Sequence, residues 1–201
     1  MQIKQKSRIV LCLIMCTSGA FGQISGSAHD FSSQSWSNEI CLPCHTPHNA
    51  NSTVQGAPLW NHEVTSATFT PYTSPTMDVE AGQPQGVSKL CLSCHDGTVA
   101  VDSFGGNSGS TFINGEFNLA TDLSDDHPIS IDWEHQTAPP AGSCGKCHFV
   151  HGGQITKPFL PFFDGKIECA SCHDAHNTYN LTKLLRLPLE GSELCFYCHG
   201  K

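Results

Sequence analysis

The chain is poor in basic residues, in methionine and in aromatic side chains, and it has no long apolar run. Ten Lys and Arg stand against 18 Asp and Glu, for a net charge of −8. Such a surface repels nucleic acid and suits solubility, basic partners or metal ions. The longest apolar run, Ile9 to Cys16, is too short to cross a bilayer as a helix, which needs about 20 residues. Aromatics make up 8% of the chain, beside 18 glycines and 12 prolines. A core built from side chains alone would therefore be thin. Methionine occurs three times, and only Met77 lies beyond the first 22 residues.

Those first 22 residues read as a secretory signal. Lys4, Lys6 and Arg8 precede the apolar run, and Ala20-Phe21-Gly22 offers small residues at −3 and −1 of a cleavage site. Leu13-Ile14-Met15-Cys16 hints at a lipoprotein box, but the residue before that cysteine should be small and Met15 is not. The expected division is a signal peptide over 1–22 and a single domain over 23–201, secreted to the periplasm or beyond and without stable membrane insertion. Loss of the leader takes three basic residues and no acidic one, so the net charge of 23–201 is −11.

What the chain does have is Cys-x-x-Cys-His, five times. The motifs are Cys41-Leu-Pro-Cys44-His45, Cys91-Leu-Ser-Cys94-His95, Cys144-Gly-Lys-Cys147-His148, Cys169-Ala-Ser-Cys172-His173 and Cys195-Phe-Tyr-Cys198-His199. Each reads as a c-type haem attachment site. Two thiols add across the two vinyl groups of one haem, and the following His stands beside the iron. Zinc also takes Cys-x-x-Cys pairs, and the last three motifs are spaced only a little beyond a zinc-ribbon gap. Zinc does not require a His after every pair, however. With 12 His in 201 residues, five such coincidences have odds of about one in a million. Every cysteine beyond the leader belongs to a motif, so none remains for a disulfide or a nucleophile.

Five haem c groups would supply the apolar core that the side chains lack, each with fewer residues around it than a chain usually needs to fold unaided. The expected fold is therefore haem-cored and mostly irregular, with short α-helices at the motifs and little or no β-structure. Tyr179 to Leu187 is the best helical candidate outside the motifs, ended by Pro188. The Gly105 to Ser110 run reads as a flexible surface loop.

Five proximal His leave seven others: His29, His48, His62, His127, His135, His151 and His176. Seven candidates can close five axial positions, while Met77 can serve one at most. Two imidazoles without methionine imply low-potential haems. Three motifs extend to Cys-His-x-x-His and supply His48, His151 and His176. Residues i and i+3 of a helical turn project to one side, whereas axial ligands lie on opposite sides of the porphyrin. Each second His should therefore ligate a haem other than that of its own motif and draw the two together.

Beyond this, the chain resembles the multihaem c-type cytochromes with doubled Cys-x-x-Cys-His motifs of metal-respiring bacteria. The resemblance rests on the segments Gly26 to Ser32, Cys44 to Ala50, Pro58 to Asn61, Cys91 to Ala100 and Asp126 to Ser130. It implies bis-His haem c and electron transfer, with His29 and His127 as distal ligands beside His48, His151 and His176. It makes His62 less secure, because Arg often stands there, and leaves His135 as a spare. Some relatives polymerise into extracellular filaments in which the residue matching His48 ligates a haem of the neighbouring subunit.

The expected function is electron transfer, as a shuttle or a filament subunit, to redox proteins or extracellular acceptors. The competing reading is a multihaem reductase with an open catalytic iron. The sequence has enough His to close every haem, and no catalytic residue stands out.

Overall fold

The computed structural model describes residues 23–77, 79–132 and 160–199. The expected signal peptide over 1–22, His135, His151 and the third motif with Cys144, Cys147 and His148 lie outside them. Most of the described chain is irregular. It contains two α-helices, a few 3-10 turns and one two-stranded pairing, which is the architecture expected of a haem-cored chain.

Helix α1, Gly86–His95, carries the second motif in its last two turns and buries Ser88, Leu90, Leu92 and Ser93. It ends at Gly97, which has φ +70°. A Cβ there would run into the Asn118 amide, so this left-handed stop favours glycine. Helix α2, Cys169–Cys172, is a single turn made by the fourth motif. Glu168 caps it by a capping box: its carboxylate accepts the Ser171 N–H, and Ser171 Oγ accepts the Glu168 N–H at 3.0 Å.

Strand β1, Ile131–Asp132, pairs antiparallel with β2, Lys166–Ile167, placing Ile131 opposite Ile167. Lys166 also pairs with Asp132. This register carries the segment after His127 onto the fourth motif. A polar joint completes the contact. Ser130 Oγ donates to Glu168 Oε2 at 2.9 Å and accepts the Gln85 N–H at 2.9 Å, while Ser88 Oγ accepts the Cys169 N–H at 2.9 Å. Glu168 is 2% exposed. Burial pushes its carboxyl above the usual range, against hydrogen bonds from Ser88 and Ser130.

The buried apolar cluster is small: Phe69, Leu92 and Leu123, with Ala67 and Ile129 against it. The expected helix over Tyr179 to Leu187 does not form. Only a 3-10 turn, Thr182–Leu184, appears there, with Lys183 and Leu184 left-handed at φ 56° and 54°. The segment gives its hydrogen bonds to the fourth motif instead, and Leu185 and Leu187 are buried at the two-residue spacing of extended chain. The glycine run does reach the surface at Gly105 and Gly106. Its base is closed, because Asp102 Oδ1 accepts the N–H groups of Ser110 and Thr111 at 2.9 and 2.8 Å.

Candidate haem-attachment sites

Each described motif folds into a tight turn that sets two thiols and an imidazole together. In the first, the His45 N–H reaches Cys41 O at 2.8 Å. The second lies on α1 and the fourth on α2. The fifth is a 3-10 turn, Cys195–Tyr197, with the His199 N–H on Cys195 O at 2.8 Å.

Three of these imidazoles are held alike. Nδ1 of His45 faces Pro58 O at 2.6 Å, Nδ1 of His95 faces Phe117 O at 2.8 Å, and Nδ1 of His173 faces Lys183 O at 2.8 Å. A carbonyl only accepts, so the proton belongs on Nδ1. Nε2 is left with its lone pair, oriented for a metal.

The first and fourth motifs share the whole construction. In the first, Leu59 O accepts the Thr46 N–H at 2.9 Å, the Asn61 N–H reaches Cys44 O at 2.9 Å, and Asn61 Nδ2 donates to Leu42 O at 2.6 Å. In the fourth, Leu184 O accepts the Asp174 N–H at 2.6 Å, the Arg186 N–H reaches Cys172 O at 2.9 Å, and Arg186 Nε donates to Ala170 O at 2.8 Å. Leu59 and Leu184 are both left-handed, at φ 53° and 54°. Pro58 to Asn61 and Lys183 to Arg186 are thus the same clasp, closed on two different motifs.

The chain also sets three motif imidazoles beside candidate distal imidazoles. His29 stands 6.1 Å from His95 between ring centroids, His176 stands 6.1 Å from His45, and His127 stands 6.2 Å from His199. His29 Nδ1 approaches Ala175 O at 3.4 Å, and His127 Nδ1 faces Pro128 O at 2.9 Å. Burial, then the neighbouring His95, lowers the pKa of His29.

Cys41 and Cys195 are exposed and the other described motif thiols are half-buried. Burial, then Cys41, pushes the Cys44 thiol up to about 11. Burial, then Cys44 and Asp96, pushes Cys94 to about 12. Burial, then Cys172, pushes Cys198 to about 11. The Cys91 thiol lies in hydrogen-bond contact with Cys169, which raises it. Neutral thiols are poor nucleophiles and poor redox centres on their own.

Two candidates stand apart. His48 is exposed, and no imidazole faces it or His173 among the described residues. His62 is 2% exposed, with Nδ1 2.7 Å from Glu63 O and Nε2 3.0 Å from Ala100 O and 3.5 Å from Cys94 Sγ, so the ring is packed against the backbone and the second motif.

Sequence reasoning missed the clasps. Their acceptors are main-chain carbonyls of Pro58, Phe117 and Lys183, which leave no mark on residue type. The weak signal available was an Asn or Arg three residues after the acceptor.

Residues 160–201, which hold the fourth and fifth motifs, match the family model described as a doubled CXXCH motif. No curated protein matches the chain. A doubled CXXCH motif implies covalent attachment of c-type haem, whose chemistry is electron transfer. Among the described residues, no helix is long and apolar enough to cross a membrane.

Proposed function

We propose that this chain is a secreted electron carrier whose five motifs each hold one haem c between two axial imidazoles. The ring spacing carries the reading. A metal–imidazole bond is about 2 Å and a ring nitrogen lies about 1.2 Å from its centroid, so two imidazoles on one iron hold their centroids about 6.4 Å apart. Three pairs stand at 6.1 to 6.2 Å. Each joins a motif His to a His from elsewhere in the chain. His45 and His176 would hold the first haem, His95 and His29 the second, and His199 and His127 the fifth. His48 and His151 remain for the haems of His148 and His173.

The surroundings fit a large flat apolar group with acidic edges. Leu59, beside the clasp on His45, is 58% exposed, and Phe117, beside the clasp on His95, is 57% exposed. Both offer apolar faces at the motifs. Trp60 Nε1 is a buried donor without a hydrogen-bond partner, next to His45 at 6.3 Å between rings. It is suited to a propionate.

Bound haem supplies a one-electron iron couple. The protein fixes its ligand field. The carbonyl clasps hold the imidazole tautomer and raise its basicity, and the scarcity of methionine keeps the potentials low. His176 reaches from the fourth motif to the first, which keeps these two sites close.

Haemochrome absorbance with intact mass should give five haems per chain, and electron paramagnetic resonance of the oxidised protein should give low-spin iron only. Fewer than four haems, or a high-spin fraction that binds carbon monoxide on reduction, would contradict the reading. The family resemblance adds a filament in which His48 ligates a haem of the neighbouring subunit, and the exposure of His48 supports it. His48→Ala should then abolish filaments in negative stain. Filaments that persist with unchanged spectra would exclude that role.

A further inference from the structure

The fourth motif does more than attach its own cofactor. Its next four residues touch the ligands of two other sites. His176 faces His45 of the first motif at 6.1 Å. The neighbouring carbonyl, Ala175 O, faces Nδ1 of His29, which stands against His95 of the second motif. Asn177 Nδ2 reaches Gln23 O at 3.3 Å and ties the segment that carries His29. One short loop thus abuts the axial ligands of three irons, counting His173.

What shapes this loop is Asp174. Its side chain is buried, unlike those of Ala175 and His176, which are exposed. One carboxylate oxygen accepts the His176 N–H at 3.2 Å, and the other accepts the Thr178 N–H at 2.9 Å. The first oxygen also lies 3.9 Å from His176 Nδ1 and 3.9 Å from the Arg186 guanidinium. Arg186 is itself anchored on the motif through Ala170 O. The carboxylate therefore fixes the turn from Asp174 to His176, faces the imidazole that the turn presents, and is braced by the clasp. Asp96, at the same place in the second motif, is equally buried but holds Thr65 and Thr98 and presents no second His. The carboxylate at this position is a turn-former, and of the two motifs that carry it, the second and the fourth, the fourth alone follows it with a second His.

We propose that Asp174 is a positioning residue for the axial ligands of the first and second haems, acting through His176 and through the Ala175 carbonyl on His29. The proposal rests on the bis-His reading above. It makes the fourth motif the joint at which the ligation of three sites is coupled.

The test uses the haem-loaded full chain. Carbon monoxide uptake by the reduced protein, low-spin g values and the reductive titration are compared for the wild type, Asp174→Ala and Asp174→Asn. Reference variants His176→Ala, His29→Ala and His127→Ala each open one site. Uptake by the wild type would overturn the bis-His reading itself, independently of Asp174. With a closed wild type, Asp174→Ala should bind about one to two carbon monoxide molecules per chain. Combined with His176→Ala it should bind fewer than the two variants' uptakes added together, whereas combined with His127→Ala it should bind one more than alone. Asp174→Asn should stay low-spin and shift only the signals that His176→Ala and His29→Ala remove. Wild-type spectra in Asp174→Ala would overturn the proposal, as would uptake fully additive with His176→Ala. If Asp174→Ala does not accumulate with haem, unshifted signals in Asp174→Asn overturn it.

Discussion

The motif imidazoles His45 and His173 are each oriented by a peptide carbonyl, and the residue three places beyond that carbonyl locks the arrangement. Asn61 and Arg186 are the locks on the first and fourth motifs. Neither is a ligand, and they share only the ability to donate to the carbonyl after the first cysteine. Replacing either with Ala leaves that carbonyl without its donor, at a cost of about 1 kcal/mol. For a chain of this size that is a fall of about 2 to 4 °C in the melting temperature of the haem-loaded protein. Asn61→Ala should also perturb the first site alone, and Arg186→Ala the sites that meet at the fourth motif. Melting curves that coincide with wild type in both variants would remove the locking role. The motif residues were legible in the sequence because thiol, thiol and imidazole are demanded by the attachment chemistry. The locks were not, since any donor of suitable reach serves and the acceptor is backbone.

Among the elements, the two helices and the single strand pairing exist where motifs need them. Helix α1 ends at Gly97, and the space beyond is filled by Asn118, which caps Ala120 N–H at 2.9 Å. Leu119 N–H closes on His95 O at 2.7 Å, and Phe117 O takes His95 Nδ1. Gly97→Ala would impose a left-handed alanine, about 1 to 2 kcal/mol, and would displace Asn118. The expected result is a melting temperature lower by at least about 4 °C and a changed spectrum at the second site. An unchanged melt would mean that this helix stop tolerates a side chain. Short helices at the motifs and the near absence of sheet followed from composition and spacing. The Tyr179 to Leu187 helix failed because its apolar pattern is also that of an extended strand, and docking on a motif decided between them. Long-range pairing of this kind, Leu184 on Asp174 or Ile131 on Ile167, has no local signature.

Across the whole molecule, the apolar cluster of Phe69, Leu92 and Leu123 is too small to account for a fold of this length. What unites the chain is the convergence of its imidazoles. His29 comes from the N-terminal segment, His127 from the segment before β1, and His176 from the fourth motif. Each stands 6.1 to 6.2 Å from a motif His between ring centroids, the spacing that the proposed bis-His ligation requires. The most direct test is carbon monoxide titration of reduced, haem-loaded His29→Ala, His127→Ala and His176→Ala, singly and combined. The account predicts no uptake by the wild type, one equivalent for each single variant and three for the triple variant. Uptake by the wild type, single variants that stay closed, or a triple variant that binds fewer than three would contradict it.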